Sequence, residues 1–432
     1  MDYKIIQDTI FGGMRFERPI LDLLETLEMQ RLNGIRQLGL TYLVFPGANH
    51  TRIEHSLGCC HLALRISEVL HLSDEERMLV SAGALLHDIG HGPFSHTLEH
   101  YISELSGLDH MLLTKRVILG DEGMIAESER AQFDGPTIPE ILETHGLDPK
   151  LVSNVVMGSR ESGFSKLTDF GGRRASEERR YLSQMIHGPI DVDQIDYLLR
   201  DSHYTGVAHG VIDIDRLIQT IQILDNELVI DKKGISSVEG MLVARALMYS
   251  SVYFHKTVRV AELMLARAVE RAGEPDYGRI QRMVDSELMS WLISKGGLQK
   301  EMAMRIRYRK LFKKAFALEE KELDSDKRRA LLRMTDFKRR RAAEDSIADR
   351  AGAERGRVIM DMPRPEIMIT EPRMGQLDIK ILDGTKARPL KRMSGLGKTL
   401  RRREVSDWLL LVSCDAKYRD AVSKVAPKVI FG

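Results

Sequence analysis

The 432-residue sequence predicts a mainly α fold with a small α+β C-terminal subdomain. Two observations predict it. Up to about residue 290, apolar residues recur at helical spacing over long stretches such as Gly240 to Ala272, and strand signals are few, notably Glu227 to Asp231. Beyond a charged stretch and a loop near Ala351-Gly-Ala-Glu-Arg-Gly356, the pattern changes to short β-type runs at Glu366 to Thr370, Leu377 to Leu382 and Trp408 to Ser413.

Taken in order, residues 1–290 read as one helical domain, 291–350 as a charged helical extension and 351–432 as the α+β subdomain. Within the first, Ser56 to Leu70 has the spacing of an amphipathic helix, which makes His61 and the following His71 packing or surface residues. The small and apolar run Ala82 to Leu86 reads as a buried helix ending near Gly90. Residues 120–180 are rich in Gly, Ser and charge, including Gly171 to Arg180, and read as a mobile insertion able to cover a cleft. Near the C-terminus, Asp383-Gly384 is a turn signal and Asp415 to Val425 a closing helix. Gly395-Leu-Gly-Lys-Thr399 falls short of a full phosphate-loop pattern and reads as an ordinary loop.

Composition excludes several classes. Hydrophobic residues make up 43% of the chain, enough for a large core, yet no run approaches the ~18 to 20 apolar residues of a membrane span. The N-terminus lacks a signal-peptide pattern, so a cytoplasmic location is expected. Cys59, Cys60 and Cys414 cannot form a disulfide framework, and the adjacent pair in a helix suggests small buried residues. The net charge is +1, with basic clusters at Arg305 to Lys314, Lys327 to Arg333, Lys338 to Arg341 and Arg401 to Arg403. Acids such as Glu319, Glu322, Asp324 and Asp326 interleave with several of them, as on solvated helices, so nucleic-acid binding is not the favoured reading.

The chemistry lies in the histidines and aspartates. Nine of the 14 histidines fall within the first 110 residues. His55, the pair His87-Asp88, and Asp193 in Asp191-Val-Asp-Gln-Ile-Asp-Tyr197 would make a two-histidine, two-aspartate metal site. Imidazole nitrogen with carboxylate oxygen suits one divalent ion, with Mn, Fe, Zn, Co, Ni and Mg all open, and no thiolate pairs point to a zinc finger. Such an ion lowers the pKa of bound water from 15.7 towards roughly 7 and polarises a phosphoryl oxygen. A His-Asp pair alone is more often a structural hydrogen-bonded pair.

The order His55, His87-Asp88, Asp193, with Gln37-Leu-Gly39, Val44 to Gly58, His87 to His96 and Asp191 to Asp201, resembles the HD-domain metal-dependent phosphohydrolases, and within them the deoxynucleoside triphosphate triphosphohydrolases. The resemblance covers residues 1 to about 215, weakens to about 290, and begins almost at Met1, so no SAM domain is expected ahead of it. It implies an HD-domain helical fold and attack of water at the α-phosphorus of a dNTP, giving deoxynucleoside and inorganic triphosphate. It implies His55, His87, Asp88 and Asp193 as metal ligands and Arg52 on the phosphates, where a guanidinium fork suits phosphate oxygens. The same arginine could instead pair with Glu54. His91 and His96 correspond to phosphate-binding or proton-transfer groups, and His110 with Glu99 to the acid/base pair; the family usually carries aspartate at the latter position. The spacing of His96 and Glu99 puts both on one helix face, from which a carboxylate can orient an imidazole.

Gln37 and Leu38 correspond to residues that contact the sugar and exclude a 2′-hydroxyl, Tyr197 and Asp201 to partners of sugar and phosphate, and Arg245 to a phosphate-contacting arginine. Two departures stand out. Gln194 replaces a phosphate-binding lysine, and Asn33 replaces an arginine that, with the glutamine matched by Gln30, recognises a guanine activator. The resemblance further implies a homo-oligomer, dimer or tetramer, with an activator nucleotide and additional Mg accompanying the nucleotide as open options. The alternatives are an HD phosphohydrolase for a monophosphate, cyclic nucleotide or RNA end, and a non-catalytic nucleotide- or nucleic-acid-binding protein.

Overall fold

The computed structural model describes residues 3–95, 97–98, 109–158, 179–273, 276–362, 379–396 and 409–432. They are predominantly helical, with small sheets, and the chain divides into two compact units whose segments alternate along it. The first comprises Met1–Met248, Tyr277–Ser286 and Leu377–Leu400; the second comprises Tyr249–Asp276, Glu287–Gln376 and Arg401–Gly432.

The first unit opens with an antiparallel hairpin that the helical patterning does not announce, β1 (Tyr3–Asp8) and β2 (Gly12–Glu17). Met14 and Phe16 are fully buried while Arg15 and Glu17 face solvent, the period-two alternation of a half-buried strand. Its turn is tied by Asp8 Oδ1, which accepts from the amides of Ile10 and Phe11 at 2.9 Å each.

Three helices build the core of this unit: α1 (Arg52–Val69), α2 (Asp74–Leu86) and, further on, a helix at Val192–Thr205, with α1 packed against both others. Ser73 and Glu76 form a capping box at the start of α2. Leu57, Cys59, Cys60, Leu62, Ala63 and Ile66 of α1 are buried, the pattern of a helix covered on most sides. The helix expected to end near Gly90 stops at Leu86: His87 Nδ1 bonds back to the Ala84 carbonyl at 2.8 Å, and the Gly90 amide donates instead to Thr114 Oγ1 at 3.0 Å. Thr114 lies in α3 (His110–Leu119). The Val192–Thr205 helix is α4.

The strand expected at Glu227 to Asp231 is β4 (Glu227–Asp231), paired with β3 (Ile221–Leu224) through Asp225 and Asn226, both in the left-handed region at φ 48° and 63°. That is the backbone a tight two-residue hairpin needs. Lys380–Asp383 joins this sheet parallel to β4, Ile381 opposite Ile230, and pairs antiparallel with Lys386–Pro389 across the expected Asp383-Gly384 turn. The helix α5 (Ile235–Met248) completes the elements used below.

The second unit begins where the long periodic stretch breaks. A π-helical turn at Tyr249–Tyr253 is followed by α6 (Lys256–Glu270), restarted by His255, whose ring accepts from the Thr257 amide. A three-stranded antiparallel sheet runs in the order β5 (Lys313–Leu318), β7 (Leu410–Cys414), β6 (Val358–Asp361). The helices α7 (Phe337–Arg350) and α8 (Arg419–Phe431) pack on it around Ile347, Met360, Val412, Val422 and Ala426. The expected closing helix is therefore present, starting four residues later, after a 3-10 turn at Ala416–Tyr418. Glu366 to Thr370, Gly171 to Glu178, His96 and Glu99 lie outside the described residues. Among those described, no helix is long and apolar enough to cross a membrane.

Candidate metal centre

Three segments of the first unit converge on one buried cluster. The start of α1 supplies Arg52, His55 and Cys59, placed on one face by spacings of three and four residues. Thr51 caps that end, its amide and hydroxyl both bonded to Glu54 Oε2 at 2.6 and 2.9 Å. The turn after α2 supplies His87, Asp88 and His91. The start of α4, capped by Asp191 accepting from the Gln194 amide at 2.8 Å, supplies Asp193 and, one turn on, Asp196.

The predicted ligands meet. His55 Nε2 lies 3.3 Å from Asp193 Oδ1 and 3.8 Å from Asp88 Oδ2, and His87 Nε2 lies 3.4 Å from Asp88 Oδ1. Each imidazole is held from behind. His55 Nδ1 is 2.7 Å from Asp196 Oδ2, and His87 Nδ1 donates to Ala84 O, so both Nε2 atoms face the cluster. His87 Nε2 is buried with no hydrogen-bond partner among the described residues. Two inward imidazole nitrogens beside the carboxylates of Asp88 and Asp193, with each far nitrogen already engaged, fit a divalent cation.

Cys59 competes on distance: one atom each from His55, Cys59 and His87 lie within 4.8 Å of one another. Burial pushes the Cys59 thiol, 3.6 Å from His55 Nε2, well above its ordinary value. Burial alone would raise the Asp88 carboxyl too, but His87, Arg52 and His91 around it hold it well below its ordinary value. The adjacent cysteines Cys59 and Cys60 are buried as expected, and Cys414 is buried too.

Arg52, fully buried, places Nη1 2.5 Å from Asp88 Oδ2 rather than pairing with Glu54, which is occupied by Thr51 and by the Tyr204 hydroxyl at 2.7 Å. Its Nε and Nη2 are buried without hydrogen-bond partners among the described residues. His91 Nε2 lies 3.3 Å from Asp88 Oδ1, and its ring stacks on His110 with centroids 4.0 Å apart and planes 10° from parallel. Burial first, then Arg52 and His110, push the His91 imidazole down to about 3. Gly90 allows this meeting: a Cβ there would sit 2.4 Å from His110 O.

The remaining expected residues lie on the segments around the cluster. Arg36 bridges to Thr51, which sets Gln37 and Leu38, both buried, beside the start of α1. Asp201 is buried and paired with His50 Nε2 at 2.8 Å; Tyr197 is half-buried one turn after Asp193. Arg245 of α5 is buried and donates to Gln194 Oε1, while Gln194 Nε2 bonds Asp191 Oδ2 at 2.9 Å. Gln194 is thus built into the cap of α4. The sequence reading missed Asp196, Arg200, Cys59 and His50. The signal available for the first two was their spacing of three and seven residues from Asp193 on one helix, and for Cys59 its position one turn after His55.

The HD domain family matches residues 52–201, which carry this cluster, and the HD associated region matches 212–431. The chain belongs to the HD-domain family. An uncharacterised protein of Methanocaldococcus jannaschii is 35% identical over 71% of this HD-domain chain and 59% of its own. The Dictyostelium discoideum protein named a deoxynucleoside triphosphate triphosphohydrolase SAMHD1 homolog is 30% identical over 63% of this chain and 50% of its own. The chain spans about half to three-fifths of the length of the first curated relatives it matches. Among solved structures, a hypothetical protein from Aquifex aeolicus superposes with a TM-score of 0.70 at 29% identity, over 98% of this chain and 99% of its own. A phosphohydrolase from Bacteroides thetaiotaomicron does so with 0.69 at 25% identity, over 95% and 99%.

Proposed function

We propose that this HD-domain protein is a metal-dependent phosphohydrolase that cleaves deoxynucleoside triphosphates at the α-phosphorus, releasing deoxynucleoside and inorganic triphosphate. The observation that carries this reading is the pairing of an inward-facing His/Asp cluster with Arg52, whose Nε and Nη2 are left unsatisfied beside it. Burying an arginine with two idle donors is costly unless an anion completes it, and phosphate oxygens match that fork.

His55, His87, Asp88 and Asp193 would hold the ion. A bound divalent cation supplies Lewis acidity towards a phosphoryl oxygen and an activated water. Arg52 binds and orients the phosphates; His91 and His110, stacked beside Asp88, serve phosphate binding and proton transfer together with His96 and Glu99. Gln37 and Leu38 contact the sugar, Tyr197 and Asp201 the sugar and phosphate, and Arg245 a phosphate. The dNTP assignment is supported by the likeness to proteins named deoxynucleoside triphosphate triphosphohydrolases. Assembly as a homo-oligomer belongs to the same proposal; the assay with mixed dNTPs decides whether an activator nucleotide is used.

The decisive test incubates the protein with single and mixed dNTPs and rNTPs plus manganese and resolves products by ion exchange, with Asp88→Ala as control. Triphosphate and deoxynucleoside from dNTPs alone, absent in the control, are expected. Monophosphate with pyrophosphate, or stepwise phosphate loss, would mark a different HD phosphohydrolase. A second reading, a monophosphate, cyclic nucleotide or RNA end as substrate, is favoured by Gln194: an uncharged amide committed to the α4 cap stands where a phosphate-binding lysine was expected.

A further inference from the structure

Asp196 carries more than one bond. Its Oδ2 takes His55 Nδ1 at 2.7 Å and Arg200 Nε at 2.9 Å, while its Oδ1 takes Arg200 Nη2 at 2.8 Å. The other side of the same guanidinium reaches across to the N-terminal hairpin, with Nη1 2.7 Å from Asp8 Oδ2. Asp8 in turn pins the hairpin turn through the amides of Ile10 and Phe11. Asp196 and Arg200 are fully buried. The chain Asp8–Arg200–Asp196–His55 therefore runs unbroken from the β1–β2 turn to a nitrogen of the cluster.

A second, independent observation shows how tightly this chain is seated. Gly58 of α1 lies against it: a Cβ at that position would stand 1.8 Å from Asp196 Oδ1 and 2.5 Å from Arg200 Nη2. No side chain fits there without displacing the pair. The sequence thus leaves space on α1 for the carboxylate behind His55.

We propose that Asp196 is a positioning residue for the metal centre, held in place by Arg200 and Asp8. It accepts the Nδ1 proton of His55, fixing the tautomer whose Nε2 lone pair faces Asp88 and Asp193. Arg200 balances the Asp196 charge and fixes the carboxylate plane with a two-donor grip; Asp8 anchors the opposite edge of that grip, so the N-terminal hairpin becomes part of the metal site's support. This rests on the metal-centre reading above. A partner of this kind behind a metal-binding histidine affects affinity by about 10–100-fold when removed.

The test is a manganese titration of metal-free protein, monitored by the spin-resonance signal of free ion, on wild type, Asp88→Ala, Asp196→Asn and Asp8→Asn, with circular dichroism confirming that each is folded. Wild type should bind one ion and Asp88→Ala none at the same concentrations. Asp196→Asn should bind about 10–100-fold more weakly. Asp8→Asn, remote from the cluster, should weaken binding in the same direction by less. If wild type takes up no ion, or Asp88→Ala binds like wild type, the metal reading itself falls. If those two behave as expected but a folded Asp196→Asn binds like wild type, the positioning role alone is overturned. Should Asp196→Asn not fold, a folded Asp8→Asn with wild-type affinity overturns the support chain.

Discussion

At the scale of single residues, Arg52 is only partly engaged. One amino group neutralises Asp88, and the remaining donors stay idle in a buried pocket. Truncating it removes the phosphate fork but spares all four candidate ligands. Arg52→Ala should therefore keep its metal and lose about 10²–10³-fold in kcat/KM, the size of loss seen when one donor to developing charge is deleted. Metal content by atomic absorption alongside initial rates separates the two effects; loss of the ion with activity would assign Arg52 to holding Asp88 instead. The four candidate ligands could be singled out in the sequence because histidine and aspartate in that order resemble the HD-domain pattern, and the structure brings them together. Asp196, Cys59 and His50 could not, because their roles depend on which face of α1 meets which face of α4.

At the scale of elements, the close approach of α1 to α4 has a measurable consequence. Gly58→Ala inserts one methyl into a space already held by Asp196 and Arg200, and overpacking of that kind costs about 1–3 kcal/mol. Urea unfolding of the metal-free protein should show that loss; an unchanged midpoint would mean the two helices separate easily. The second unit offers an electrostatic counterpart. Glu301 on the Gly297–Arg307 helix is gripped by Arg357 at 2.7 Å through both oxygens and by Arg305 at 2.8 Å, and these arginines hold its carboxyl down at about 2. A folded-state value below the unfolded one stabilises above the unfolded pKa, and that contribution fades as pH falls from about 4.5 towards 2. Glu301→Gln should lower the melting temperature at pH 7, modestly because the group is partly exposed, and the gap to wild type should close on acidification. A gap constant with pH would point to packing. The helices here were legible from apolar periodicity. The strand β5 was hidden because Lys313 and Lys314 open it, so its sequence reads as the end of a basic cluster, and β1–β2 escaped because Gly12 and Gly13 interrupt the alternation.

At the scale of the whole molecule, the sequence predicted the fold class but not how the segments are shared out. Lys380–Asp383 pairs with Ile230 and Asp231 about 150 residues earlier, and nothing local in either strand names the other; long-range parallel pairing depends on the assembled sheet. The metal centre likewise draws on segments spread from Arg52 to Asp196, so it exists only in the folded chain. That gives the last prediction. An ion that binds the native state and not the unfolded one adds stability by mass action, about 2.7 kcal/mol at a hundred times its dissociation constant. Manganese should therefore raise the unfolding midpoint of wild type, and chelation should reverse the gain. Asp88→Ala should gain nothing, since without Asp88 the cluster keeps two imidazoles but loses the carboxylate that faces both. An equal gain in that variant would place the stabilising ion at another site formed only in the folded chain, and would separate the His/Asp cluster from the metal.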